Sequence, residues 1–302
     1  MAFPIRWDKL KNPIIKFPDR PIKDQCVYFE EKSGWFYVFA SGGIRLKTKD
    51  FLSFEEVKFP EVGGSPDIIK VGYKYYITSQ HAKESGSVIA WILNKFRVRD
   101  IHISVLENLD DATCPVYTQV FKRWFPARNI DGCLYEPNKW NYPESNAYFM
   151  LYKSCQKPRQ AVLEILPRAS RMRVLSDDIM YVDGEWAENF QIINIDGSLK
   201  VIATAHRENL PSGGFTSNHF PFIYIYSPEA ISIIHRKELS IPQENWNTVM
   251  KANTGHLCDW RKYDGYFYLT YAGSNDSTSF NGRGHGKIGI ARSKNLYEWE
   301  VP

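Results

Sequence analysis

WAENFQIINIDGSLKVIATA, residues 186–205, reads as two apolar runs joined by Asp196-Gly197, with Glu188 just ahead of the first run. Asp-Gly between apolar runs is a strong hairpin signal, because a tight turn twisted to match its strands needs positive φ values that Gly supplies at little cost. Glu188 therefore stands at the start of a strand. The same signature recurs as KSGWFYVFAS around Gly34, VGYKYYITS around Gly72 and YDGYFYLTYAG around Gly265. A looser relative is ESNAYFMLYKS, where Asn146 can take the left-handed turn position that Asn tolerates better than most residues.

Helical periodicity is scarce, whereas short runs rich in Val, Ile, Tyr and Phe recur between Gly, Pro, Asn and Asp. The chain reads as all-β. Five hairpins in 302 residues give units of about 60 residues, longer than the ~40–50 of common propeller blades but compatible with blades carrying long loops. TKDFLSFEEV near residue 50 and SKNLYEWEVP at 293–302 echo each other, as if each closes a blade. These features predict a five-bladed β-propeller filling residues 1–302 as one domain, with blades starting near Asp24, Asp67, Asp131, Glu188 and His256. A pair of β-sandwiches is the rival, and it leaves unexplained why a polar residue precedes each turn. In a propeller the innermost strand of every blade runs along the central channel, so such residues converge on one end of the axis.

Composition narrows the function. At 43% hydrophobic and 15% aromatic residues, the chain can bury a large core. No window approaches eighteen apolar residues, and the opening MAFPIRWDKLKNP lacks the order of a secretory signal, so a soluble, cytoplasmic protein with no membrane association is expected. The formal charge of +4 is spread without a basic block, which argues against nucleic acid as a partner. Cys26, Cys114, Cys133, Cys155 and Cys258 are odd in number and form no CxxC pair, which suggests neither a disulfide framework nor a zinc site. Cys133 and Cys155 read as small buried hydrophobes. No phosphate-binding loop, HExxH or GxSxG is present, and the GRGHGKIG run has Ile288 after Lys287 where a Walker loop needs Ser or Thr.

Three or four carboxyl groups buried together are costly unless paired, metal-bound or used, because like charges push at least one pKa upward. Glycoside hydrolysis needs that combination, one carboxylic acid to protonate the leaving oxygen and one carboxylate to activate water or attack carbon.

The ordered segments resemble the five-bladed propeller glycoside hydrolases of family 43, which include arabinanases, β-xylosidases and α-arabinofuranosidases. KDQCVYFEEKSGWFYVFAS resembles the first blade, GSPDIIKVGYKYYITS the second, and NIDGCLYE with AYFMLYKS the third. WAENFQIINIDGSLKVIATA is similar to the blade carrying the general acid, and TGHLCDWRKYDGYFYLTYAG with GKIGIARSKNLYEW to the last. Members usually carry Pro after the first-blade and third-blade Asp, and a small residue then Pro after the Glu. Here stand Gln25, Gly132 and Asn189-Phe190, the marks of a divergent branch.

The resemblance implies Asp24 as the base activating water, Asp131 as the residue that raises the acid's pKa and orients it, and Glu188 as the general acid. It implies an inverting glycosidase acting on a pentose-containing or related oligo- or polysaccharide, with the two carboxyls about 6.5–9.5 Å apart. Asp67 is a candidate for binding sugar hydroxyls. His256 is a candidate for holding an axial water or the hydration shell of a structural Ca²⁺, no cofactor being required for the reaction. Arg283 is a further candidate sugar contact, Trp35 and Trp124 are candidate platforms, and residues 206–219, with Gly213-Gly214, form a candidate rim. For each carboxylate the competing reading is a strand-start residue capping backbone donors, and for His256 a hydrogen-bonded core histidine. The rival functions are a retaining invertase-like or phosphate-dependent enzyme on the same fold, and a carbohydrate-binding propeller without turnover.

Overall fold

The computed structural model describes residues 3–17, 22–58, 62–82, 88–96, 98–110, 116–120, 127–135, 147–155, 157–166, 169–177, 185–207, 219–227, 232–275 and 286–302. The predicted turns are in place. Gly34, Gly72, Gly197 and Gly265 all have positive φ, and Asp196 shares that region with Gly197. Asn146 lies outside the described residues.

Each hairpin grows outward into an antiparallel sheet. Blade one comprises Cys26–Glu30, Trp35–Ala40, Ile44–Thr48 and Glu55–Glu56. Blade two comprises Gly64–Val71, Lys74–Ala82, Arg99–Leu106 and Val116–Gln119, with the helix Val88–Lys95 between its second and third strands. Blade three is Asn129–Tyr135, Ala147–Ser154, Lys157–Leu166 and Ala169–Asp177. Blade four is Glu185–Ile195, Ser198–Arg207, His219–Ser227 and Ser232–Glu238. Blade five has Met250–Asp259, Phe267–Ser274 and Lys287–Ser293, and both ends of the chain complete it. Ile15–Lys16 pairs with Ile288 and Lys287, while Trp299–Glu300 pairs with Ser293 and Arg292, so two short strands share one outer edge.

The apolar core lies between the sheets, and its sequence of clusters closes a ring. Phe39 and Tyr37 of blade one meet Ile68 and Ile77 of blade two. Ile101 and Ile103 pack on Leu134 and Met150, and Leu151 packs with Phe190 and Val201. Ile202 then joins Leu257 and Leu269, and Tyr268 and Ile290 return to Phe36 and Val38 of blade one. The fold is a five-bladed β-propeller. No helix among the described residues is long and apolar enough to cross a membrane.

The echo between the two blade-closing segments is structural. Thr48 Oγ1 accepts from the backbone N–H groups of Asp50 and Phe51, and Ser293 Oγ accepts from those of Asn295 and Leu296. Asp50 and Asn295 then each accept from the residue two further on, and Phe51 and Leu296 both take positive φ. Each turn delivers a short outer strand that includes a Glu.

Candidate active site

The inner strands all begin at one end of the ring, and the backbone there is unusual. Asp24, Ser65, Asp131 and Asn189 have φ of 50°, 43°, 55° and 57°. Positive φ is uncommon for residues with a Cβ, and such strain concentrates at functional sites. Each of the four stands two residues before a ladder residue: Cys26, Asp67, Cys133 and Gln191. In blades two, three and four the register shifts across this pair, a bulge that re-aims the side chain. Blade five shifts across Gly255, ahead of His256.

This corrects the expectation that Asp24, Asp67, Asp131, Glu188 and His256 occupy equivalent positions. There are two layers. Asp24, Ser65, Asp131 and Asn189 ring the mouth. Cys26, Asp67, Cys133, Gln191 and His256 form the layer beneath, and Glu188 sits one residue ahead of Asn189. The mouth is an open, narrow cavity lined by Asp24, Asp67, Asp131 and His256 with neighbours from four of the five blades' inner strands and the turn before the remaining one.

Asp24 is buried. Its Oδ2 accepts from Ser41 Oγ at 2.9 Å and lies 3.3 Å from Lys23 Nζ. Its Oδ1 faces Asn253 Nδ2 at 3.4 Å. Asn253 Oδ1 in turn accepts from Asn189 Nδ2 and Thr204 Oγ1, each at 2.9 Å, so one amide ties the mouth residues of blades one and four together. Burial pushes the Asp131 carboxyl up to about 6, the charges of Glu188 and Asp24 push the same way, and Lys153 opposes them. Asp131 Oδ2 is buried with no hydrogen-bond partner among the described residues. Glu188 Oε2 accepts from Lys153 Nζ at 2.9 Å, with only 4% of the lysine side chain exposed. Carboxyls from two other blades thus act on Asp131, Asp24 from the cavity lining and Glu188 from beside it, outside the lining residues.

Asp67 lies deeper, 3.4 Å from His256 Nε2. Burial raises its pKa and the imidazole opposes the rise. The other ring nitrogen of His256 lies 3.6 Å from Cys258 Sγ. These side chains offer a single paired carboxylate where Ca²⁺ takes six to eight oxygen ligands, and no group of three His, Cys, Asp or Glu among the described residues is placed to hold a metal. Any Ca²⁺ at His256 would therefore be held through its waters.

Trp35 is elsewhere. It pairs with Glu30 at the far end of the blade-one hairpin, and Lys47 and Lys49 cover its ring. Trp124, Arg283 and residues 208–218 lie outside the described residues. Cys133 is buried as expected, but Cys155 is exposed in the turn after Ala147–Ser154, where its positive φ suits a turn and not a core. Gln25, Ser65, Asn189 and Lys153 were not legible from a search for acids before turns. Lys153 is signalled only by breaking the apolar run of AYFMLYKS.

The five-bladed propeller has counterparts among solved structures. Its fold is one that glycosidases of known structure share. Over 97% of its length the chain is similar to a xylan β-1,4-xylosidase from Bacillus halodurans C-125, with a TM-score of 0.65 and 11% identity. It spans just over half, 56%, of that enzyme. An α-L-arabinofuranosidase from Lactobacillus brevis matches at a TM-score of 0.62 and 12% identity, with 99% of each chain covered. An exo-1,5-α-L-arabinanase from a bovine ruminal metagenomic library matches at 0.59 and 11%, covering 94% of this chain and 97% of the other. No protein-family model and no curated protein matches the sequence.

Proposed function

We propose that this chain is a glycosidase acting on a pentose-containing or related glycan by inversion. The observation that carries the reading is the convergence of Asp24, Asp131 and Glu188, in which Asp131 responds to the charge of both others. The fold shared with xylosidase, arabinofuranosidase and arabinanase structures supports it.

Asp24, held by Ser41, Lys23 and Asn253, is the base that takes a proton from the attacking water. Glu188 donates a proton to the leaving oxygen. Asp131 holds a proton up to about pH 6 and stands ready to share it with Glu188, since like charges at short range favour one proton between them. Asp67 and His256 shape the floor, and any Ca²⁺ there is structural.

One observation favours a second reading. The Lys153 ammonium against Glu188 stabilises the carboxylate form and opposes proton donation, as in a carbohydrate-binding propeller without turnover. A screen of aryl pentosides, hexosides and plant or algal polysaccharides, with wild type beside Asp24→Asn and Glu188→Gln, separates the readings. The glycosidase predicts turnover with inverted configuration, lowered by about 10²–10⁴ in either variant. Retained configuration indicates a nucleophilic Asp24, dependence on phosphate indicates transfer to phosphate, and binding without turnover indicates the second reading.

A further inference from the structure

Two glutamines line the same cavity, Gln25 from the turn that opens blade one and Gln191 from the inner strand of blade four. Their amides are used in opposite ways. Gln191 Nε2 donates to the Leu257 carbonyl at 2.7 Å, and its Oε1 accepts from the Leu257 N–H at 2.8 Å, so both ends are spent on backbone. Gln25 is 1% exposed, and neither its Nε2 nor its Oε1 has a hydrogen-bond partner among the described residues.

A buried amide without partners costs about 1–3 kcal/mol for each group left unmade, which makes an orphaned amide on a cavity-lining residue a feature to be explained. The surroundings are built to hold it there. A Cβ on residue 255 would collide with the Gln25 amide, so Gly255 leaves the space it occupies. The adjacent Asp24 fixes the backbone through Ser41 and Lys23. Across the same cavity Asp131 Oδ2 is likewise buried without a hydrogen-bond partner among the described residues.

We infer that Gln25 is a specificity-determining residue of the sugar subsite, its side-by-side acceptor and donor reading two adjacent ring hydroxyls. The amide Oε1 accepts from one hydroxyl while Nε2 donates to its neighbour, a pairing open to a neutral diol and to no charged group in particular. This rests on the reading of the cavity as a sugar site, though not on turnover. Where a site is made to hydrogen-bond a hydroxyl, the analogue lacking it leaves the protein's own polar group unpaired and is rejected strongly.

The test is calorimetric titration of wild type and Gln25→Leu with arabinose, xylose, galactose and glucose, followed by the monodeoxy analogues of whichever sugar binds. Melting temperatures report that the variant folds, and Gln25→Met replaces the leucine variant if it does not. Gln25→Leu is expected to weaken the parent sugar by about 10- to 100-fold and to weaken by distinctly less the deoxy analogue that lacks one of the two hydroxyls, which has only one bond to Gln25 to lose. Equal weakening of parent and deoxy sugars, or no weakening, overturns the inference, as does a wild type that binds none of the panel. Sugar binding without turnover overturns the glycosidase and leaves the role of Gln25 standing.

Discussion

Asp131 carries the clearest electrostatic signature of the site, and its sign can be followed into stability. Its folded pKa of about 6 lies above the ordinary 3.8, so between those values the folded state binds the proton more tightly than the unfolded chain. Stability from this group is full below about pH 4 and is lost as pH rises through 6. Asp131→Asn should therefore melt higher than wild type at pH 7–8, by up to about 3 kcal/mol in stability, with the difference vanishing near pH 4 in a melting series. The coupling has a signed test of its own. In ¹³C-aspartate spectra the titration of Asp131 should move below about 6 in Glu188→Gln, which removes a repelling charge, and above it in Lys153→Met, which removes an attracting one. Movement in the same direction in both variants would exclude the arrangement. The three carboxylates were legible because an acid at a strand start is conspicuous beside apolar runs. Ser65 and Asn189 were not, since they look like ordinary turn residues until the shared two-residue step before Cys26, Asp67, Cys133 and Gln191 aligns them.

At the scale of the element, the hairpin turns were readable because Gly with positive φ is a local demand that no distant contact has to supply. The third blade's turn, expected at Asn146 by analogy with its relatives, falls outside the described residues. The closing turns 48–56 and 293–300 show how a non-glycine can occupy the left-handed region when side-chain oxygens cap the backbone around it. Asn295 Oδ1 accepts from the N–H groups of both Tyr297 and Glu298. Asn295→Ala should cost about 1–2 kcal/mol and speed amide exchange at Trp299 and Glu300 ahead of Phe267–Ser274, one strand further in. Protection falling equally across the whole sheet would show that the turn does not act locally. The helix Val88–Lys95 was missed, since an eight-residue apolar segment in a chain dominated by strands gives no periodicity that separates it from a strand.

For the molecule as a whole, the number of blades followed from counting hairpins, but the manner of closure did not. Nothing in IIK, residues 14–16, announces that it pairs with KIGI near the other end. Asn12 secures that junction: its Nδ2 donates to the Ile290 carbonyl at 3.0 Å and to Glu244 Oε2 at 2.8 Å, and its Oδ1 accepts from the Ile290 N–H at 2.9 Å. Asn12→Ala is expected to destabilise by about 2–4 kcal/mol, since several part-buried bonds go at once, and to expose the edge of Lys287–Ser293 to exchange. An unchanged melting temperature would place closure in the apolar cluster that joins blades five and one. Because Asn12 and Ile290 are 278 residues apart, the circle is completed by a contact of very high sequence separation. Loop closure of that length adds little equilibrium penalty but delays the search, so refolding should be slow and pass through open, C-shaped species whose two bare sheet edges are free to pair with another chain.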